Sequence, residues 1–415
     1  MTTIYLDKNS YFKNLDNIGK TRYCKKIGFS TLLFGIYTTL IPLDQVMNFN
    51  GSGTINRYLG IMVMISILFG LLINKKKFVL KREYIPVLLL VFVGLSSYFW
   101  SINQSTTLTT IIRFLSLVSF YIVCTNRLYT NIEKAFIKFC IVLGGVIVAI
   151  YLINTSDTFN NRVFIVTNSG EAADPNSISS TLAICMIVLL DYLLRTKKRK
   201  IILLVIISML IVLYAMLLTG SRGGMIGLII GSLIYLILTF RIVEISKKRV
   251  FIVCSIIFIS LFTVLGSGLL TKHINVEVIE RMTLASAVET GGTGRFSIWQ
   301  NALIQIYEKL FIGYGFGTGP NVLEHYYGTY IGMHNDSISI LIGTGVIGFF
   351  LFLLFIIKNI RKCFVKKDVL TLTLLIMVLI SGLTLDYILH KNFWNVMIYS
   401  QIGLGLVSSI PNRSV

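Results

Sequence analysis

Apolar runs of roughly 17–22 residues recur along this chain between short polar connectors, and each is long enough to cross a hydrocarbon core about 30 Å thick. Marking them gives about twelve spans, at residues 27–43, 55–73, 84–100, 108–125, 135–153, 177–194, 200–218, 223–240, 249–270, 336–357, 369–386 and 393–410. One stretch breaks this alternation. From about Thr271 to Asp336 the chain is polar, and within it Phe296, Ile298, Trp299, Ala302, Leu303, Ile306, Tyr307 and Leu310 recur at helical spacing. Gln300, Asn301, Gln305 and Glu308 fall between them, which predicts an amphipathic helix lying on the bilayer or over the helical bundle. The expected architecture is an all-α polytopic membrane protein. It comprises a polar segment 1–26, transmembrane helices 1–9 over 27–270, a large extracytoplasmic loop 271–335, transmembrane helices 10–12 over 336–410, and a tail 411–415.

Composition supports this pattern. With 55% hydrophobic and only 13% charged residues and a mean hydropathy of +0.79, an ordinary soluble globular protein is excluded. A net charge of +20 would suggest a nucleic-acid partner, but its placement argues for topology instead. Most of the Lys and Arg residues fall in alternate connectors, as in Lys75-Lys76-Lys77, Lys81-Arg82 and Arg195 to Lys200. Counted by the positive-inside rule, both termini are cytoplasmic. The six cysteines are scattered without a C-x-x-C pair, so neither a disulfide framework nor a zinc site is indicated. Residues 1–26 lack an apolar core, which leaves the first span to serve as the insertion signal.

Candidate chemistry collects at the outer connectors. Thr219-Gly220-Ser221-Arg222-Gly223-Gly224 joins two spans in a hairpin tight enough to need glycine but not arginine. A fixed planar cation beside a helix N-terminus makes a phosphate site. Gly291-Gly292-Thr293-Gly294-Arg295 repeats that combination at the start of the amphipathic helix. Asp174-Pro175-Asn176-Ser177 precedes an apolar run; it reads either as a helix cap or as Asp174 and Asn176 facing a sugar hydroxyl. Arg281 follows Glu280 and reads as its ion-pair partner or as a substrate contact. His334-Asn335 lies where the loop re-enters the membrane, and a neutral imidazole can accept a proton near physiological pH.

Other features read as structural. His325 and His390 are taken as structural histidines; Arg113, as an intramembrane arginine, reads either as a functional candidate or as snorkelling from the outer end of its span. Asp386, His390 and Lys391 at an outer turn form instead a secondary candidate cluster for function. The Gly313-Tyr314-Gly315-Phe316-Gly317-Thr318-Gly319-Pro320 run has no Walker or dinucleotide fingerprint and is expected to bend the chain back toward the membrane. No outer-face D-x-D or clustered carboxylates suggest a metal.

Taken together, the Arg222 hairpin, Gly294-Arg295, Gly313-x-Gly315-x-Gly317, His334-Asn335 and Gly345-x-x-Gly348 resemble the O-antigen ligase and bacterial polysaccharide polymerase superfamily. The resemblance implies a membrane C-type glycosyltransferase fold in the bacterial cytoplasmic (inner or only) membrane, with its active site facing outward. It implies an undecaprenyl-pyrophosphate-linked oligosaccharide as donor, with neither metal nor nucleotide cofactor. Arg222 and Arg295 would hold the pyrophosphate and His334 would act on the acceptor hydroxyl. Ser221, Gly294, Asn335, Asp174, Asn176 and Arg281 would line the substrate. Polymerisation of repeat units for a capsule, exopolysaccharide or O-antigen is the leading expectation, with a chain-length regulator and a flippase as partners. A ligase delivering finished polymer to a lipid A core or a cell-wall acceptor is the alternative. A lipid-linked oligosaccharide flippase is the third reading; a transporter would show internal repeats and a charged mid-membrane cavity, whereas the polar residues here gather at one face.

Overall fold

The computed structural model describes residues 27–44, 48–49, 53–154, 158–159, 162–163, 165, 173–242 and 294–405. The expected N-terminal segment 1–26, ninth span 249–270, loop residues 271–293 with Arg281, and tail 411–415 lie outside the described residues. Apart from two antiparallel ladders, β1 (Asn48–Phe49) with β2 (Gly53–Thr54) and β3 (Thr158–Phe159) with β4 (Arg162–Val163), the described regular structure is helical. The helices are α1 (Phe29–Leu40), α2 (Ile55–Ile73), α3 (Ile85–Ser96), α4 (Gln104–Thr125), α5 (Asn131–Asn154), α6 (Pro175–Arg195), α7 (Arg199–Leu218) and α8 (Arg222–Ile242). After the undescribed stretch follow α9 (Arg295–Glu308), α10 (Gly319–Tyr327), α11 (Asp336–Val365), α12 (Val369–Gly382) and α13 (Lys391–Ile402).

Eight helical stretches among the described residues are long and apolar enough to cross a membrane, and α1 and α12 are shorter apolar helices. The protein is therefore a polytopic helical membrane protein. α6 is its centre: 94% of its apolar window is buried, and it packs against α5, α7, α8 and α12. Its first turns carry Ser177, Ser179, Ser180 and Thr181, all buried. Small residues there let neighbours approach closely. A Cβ on Gly224 of α8 would overlap Ser179, and one on Gly145 of α5 would overlap Cys185.

α11 is broken. Gly345 has φ +64° and ψ −167° inside an otherwise helical run, a conformation essentially confined to glycine. The break frees backbone groups that hydrocarbon cannot satisfy, so they must pair within the protein. The glycine-rich run supplies the partners. Tyr314 N–H donates to the Ile342 carbonyl at 2.8 Å, Gly315 N–H to the Gly343 carbonyl at 2.9 Å, and Val346 N–H to the Leu310 carbonyl at 2.9 Å. Gly313, Gly315 and Gly317 all have positive φ, so the run does turn back as expected. Its purpose is now specific: it stitches the segment that carries α9 and α10 to the broken helix. Phe316 anchors it in the core, 4% exposed, 5.0 Å from the Phe114 ring, with its N–H donating to Ser97 Oγ at 2.9 Å.

At the end of the bundle away from Arg222 and His334, Asp191 of α6 is fully buried. It accepts from Lys138 of α5, from Arg195 Nε at 2.6 Å and from the Tyr235 hydroxyl of α8. A carboxylate taken out of water persists only when paired and hydrogen-bonded in this way.

Candidate functional site

The Arg222 hairpin, His334 and Asn335 lie against one short loop, 383–390, between α12 and α13. Arg222 opens α8 at its first position, with Gly220 at φ +58° making the tight approach. A Cβ on the next residue, Gly223, would come within 2.8 Å of Thr384 Oγ1, so the hairpin lies against the start of the loop. Asp386 is next along it. Its Oδ2 accepts the His334 N–H at 3.1 Å, and its Oδ1 accepts the Ser339 hydroxyl. Ile388 N–H donates to Asp336 Oδ1 at 2.8 Å, fixing the loop to the N-terminus of α11. Leu389 offers its carbonyl to Arg113 Nη2 at 3.1 Å. His390 closes the loop, stacked on Tyr387 at 5.0 Å and 12°, with Ser177 Oγ 3.4 Å from Nδ1.

His334 holds a left-handed backbone, φ +49°, uncommon for a residue with a side chain. Asn335 then caps α11, its Oδ1 accepting from Ser337 and Ile338 N–H at 3.0 and 3.2 Å, while Nδ2 reaches the Leu383 carbonyl at 3.3 Å. The Arg295 helix is tied to the same place. Gly294 takes the left-handed N-cap position of α9 at φ +80°, and Trp299 Nε1 donates to the Met333 carbonyl at 2.8 Å. Helix α9 buries Ala302, Gln305 and Ile306 and packs on α10 and α11. Phe296, Leu303 and Tyr307 stay exposed, so this amphipathic helix covers the bundle and still presents an apolar face outward.

The Asp174–Asn176 run is the expected cap: Asp174 Oδ1 accepts from Asn176 N–H and Nδ2, both at 3.0 Å. It does more than cap. Asn176 Oδ1 accepts from Ser221 Oγ at 3.0 Å, and Ser221 Oγ accepts from Gly224 N–H at 3.3 Å. Ser221 is fully buried, and this chain fixes the Arg222 hairpin to the central helix. Arg222 itself is half-buried and makes no hydrogen bond or ion pair among the described residues.

Two readings of single residues change. Arg113 does not merely snorkel, because it donates to the loop. His390 is structural in the sense expected, yet it belongs to the site: burial first, then repulsion by Arg113, push its imidazole down to about 4, so it is neutral at physiological pH. Asp386 is the residue that the sequence undervalued; a lone acid after an apolar span gives no hint that it would grip His334. No group of three His, Cys, Asp or Glu suited to a metal exists among the described residues.

Residues 207–353 match the family model described as O-antigen ligase. Over this stretch the chain is similar to O-antigen ligases. The matched region contains Ser221, Arg222, Gly294, Arg295, His334 and Asn335, whereas Asp174, Asn176 and the 383–390 loop lie outside it. A curated relative is the ComP-specific O-oligosaccharyltransferase of Acinetobacter baylyi (strain ATCC 33305 / BD413 / ADP1), 27% identical over 170 residues. That alignment covers 41% of this chain and only 28% of the relative.

Proposed function

We propose that this O-antigen ligase-like protein is a membrane glycosyltransferase that polymerises oligosaccharide repeat units carried on a polyprenyl diphosphate, undecaprenyl pyrophosphate in a bacterial cell membrane. The observation that supports it best is the convergence on one loop of an arginine without an ionic partner and a histidine held by a carboxylate. In the reaction the acceptor hydroxyl oxygen attacks the anomeric carbon of the donor sugar. The bond from that carbon to the phosphate oxygen breaks, and its electron pair leaves with the diphosphate. Arg222 and Arg295 neutralise the charge growing on the leaving group, each contributing a few kcal/mol when fixed in place. His334 takes the hydroxyl proton, with Asp386 fixing its backbone. Arg281, outside the described residues, and Asn176 remain candidates for sugar contacts.

The ligase reading is kept for a specific reason, since the relative's printed name describes transfer of an oligosaccharide to a particular acceptor, ComP. The test is product analysis with purified protein in lipid, an undecaprenyl-pyrophosphate oligosaccharide and EDTA. A ladder of lengthened products, absent for His334→Ala, is expected. Transfer only when a second kind of acceptor is added would replace polymerase by ligase. Vesicle flux of the lipid-linked sugar without any transfer would overturn both in favour of a transporter.

A further inference from the structure

We propose that Arg57, Arg113 and Lys391 form a second anion subsite, at the other end of the 383–390 loop from Arg222, that takes the diphosphate of a lipid-linked acceptor. The proposal rests on the transferase reading above and adds the acceptor to it.

Geometry brings these three cations together from three helices. Lys391 Nζ lies 2.6 and 2.7 Å from the two oxygens of Asp44 and donates to Thr54 Oγ1 at 2.9 Å. Thr54 occupies the N-cap position of α2, so this knot sets the first turn of α2, which bears Arg57, against the start of α13. Arg113 reaches the same place from α4 through the Leu389 carbonyl, two residues before Lys391. The Lys391 ammonium is repelled by both Arg113 and Arg57, and Asp44 attracts it. Asp44 is paired with Lys391, while Arg57 and Arg113 form no ion pair among the described residues and are exposed. The corner thus carries an excess of positive charge that the described protein does not balance.

Neither arginine is explained by the fold. Arg113 lies nine residues beyond Gln104, about 13 Å along the helix axis, and leans onto the loop instead of extending along its own helix. A carbonyl holds a guanidinium in place but leaves its charge uncompensated. A phosphate would complete it with the short, charge-assisted bonds that such forks form.

Polymerisation explains why two such places are needed. In a ligase only the donor must carry a polyprenyl diphosphate, whereas in a polymerase both substrates carry one. Thr384 touches the Arg222 hairpin and Leu389 holds Arg113. The two cationic places therefore adjoin opposite ends of one loop.

The test uses the full chain in nanodiscs of zwitterionic lipid, titrated with a short-chain polyprenyl diphosphate and counted by native mass spectrometry, with the melting temperature verifying that each variant is folded. Two molecules per chain are expected for the wild type. Arg222→Ala should keep one, and Arg57→Gln with Arg113→Gln should keep one, the lost event weakening at least about tenfold. Arg57→Lys with Arg113→Lys, which keeps the charge, should retain the second molecule at reduced affinity. A single molecule in the wild type, lost with Arg222→Ala, overturns the second subsite and leaves the transferase reading standing. Unchanged binding in the double Gln variant overturns it also, as does displacement of the second molecule by equimolar phosphatidylglycerol, which would mark a headgroup site. Loss only in the double Gln variant keeps this subsite and overturns the donor role of Arg222. No binding to folded wild type overturns both.

Discussion

Replacing His334 by glycine should move stability and activity in opposite directions. The left-handed backbone at φ +49° costs a residue with a Cβ about 1–2 kcal/mol. Glycine removes that cost but adds freedom to the unfolded chain worth about 0.5–1 kcal/mol. The balance is about 0–1.5 kcal/mol in favour of the variant, because the His334 N–H bond to Asp386 needs no side chain. The imidazole is lost, however, and a positioned base contributes roughly 10²–10⁴-fold, about 3–5 kcal/mol of barrier. His334→Ala is the comparator, since it loses the imidazole and keeps the strain. The assays are the melting temperature in detergent and the initial rate of product formation from a lipid-linked donor. Glycine should melt at or above wild type and above alanine, with both variants at least about a hundredfold slower. A glycine variant within threefold of the wild-type rate refutes the proton-acceptor role, and one that melts well below alanine refutes the strain argument.

Three further outcomes follow from the same geometry. Asp386→Ala leaves the His334 N–H and the Ser339 hydroxyl without their acceptor; hydrogen bonds to charged groups being worth about 1.5–3 kcal/mol, kcat should fall about 10- to 100-fold, measured as steady-state transfer. Gly345→Ala forces a Cβ onto the Phe311 carbonyl at φ +64°, so the backbone cost alone of about 1–3 kcal/mol should appear as a lower melting temperature. His390, held neutral with its pKa near 4 against about 6.5 in an unfolded chain, binds a proton more readily when unfolded. Its contribution to stability is present above about pH 6.5 and is lost as pH falls toward 4, so the melting temperature should drop across that window and drop less in His390→Phe.

Much of this was legible in the sequence because hydrocarbon imposes simple rules. Apolar run length located α2, α5, α6, α7 and α8 within a few residues, and helical spacing located α9. The glycine–arginine turns were legible because glycine marks a tight turn, and both arginines do open helices. What escaped is information carried between distant segments. Nothing local to Leu383–His390 says that it will touch Ser177, Gly223, His334 and Asp336, whose sequence separations range from about fifty to more than two hundred residues. Arg57 was not singled out at all, and Arg113 was judged by its depth without knowledge of the carbonyl facing it. The span at 369–386 ended early, with α12 stopping at Gly382, because Asp336 and Asp386 claim the residues that follow for a loop. Apolar length does not reveal that competition.

The break at Gly345 also bears on how this protein sits in bilayers of different thickness. An unbroken helix of 30 residues would extend about 45 Å, well beyond a hydrocarbon core of about 30 Å. Such an excess is ordinarily absorbed by tilting the whole helix, which would carry His334 sideways with every change in lipid length. Here Ile342 and Gly343 before the break and Val346 after it are bonded to the Leu310–Gly315 run, so the joint itself is held by protein and the nine residues that precede it form a separate short segment. A change of tilt in the longer segment can be absorbed at Gly345, while Asp386 holds the His334 N–H and the Met333 carbonyl holds Trp299 of the Arg295 helix.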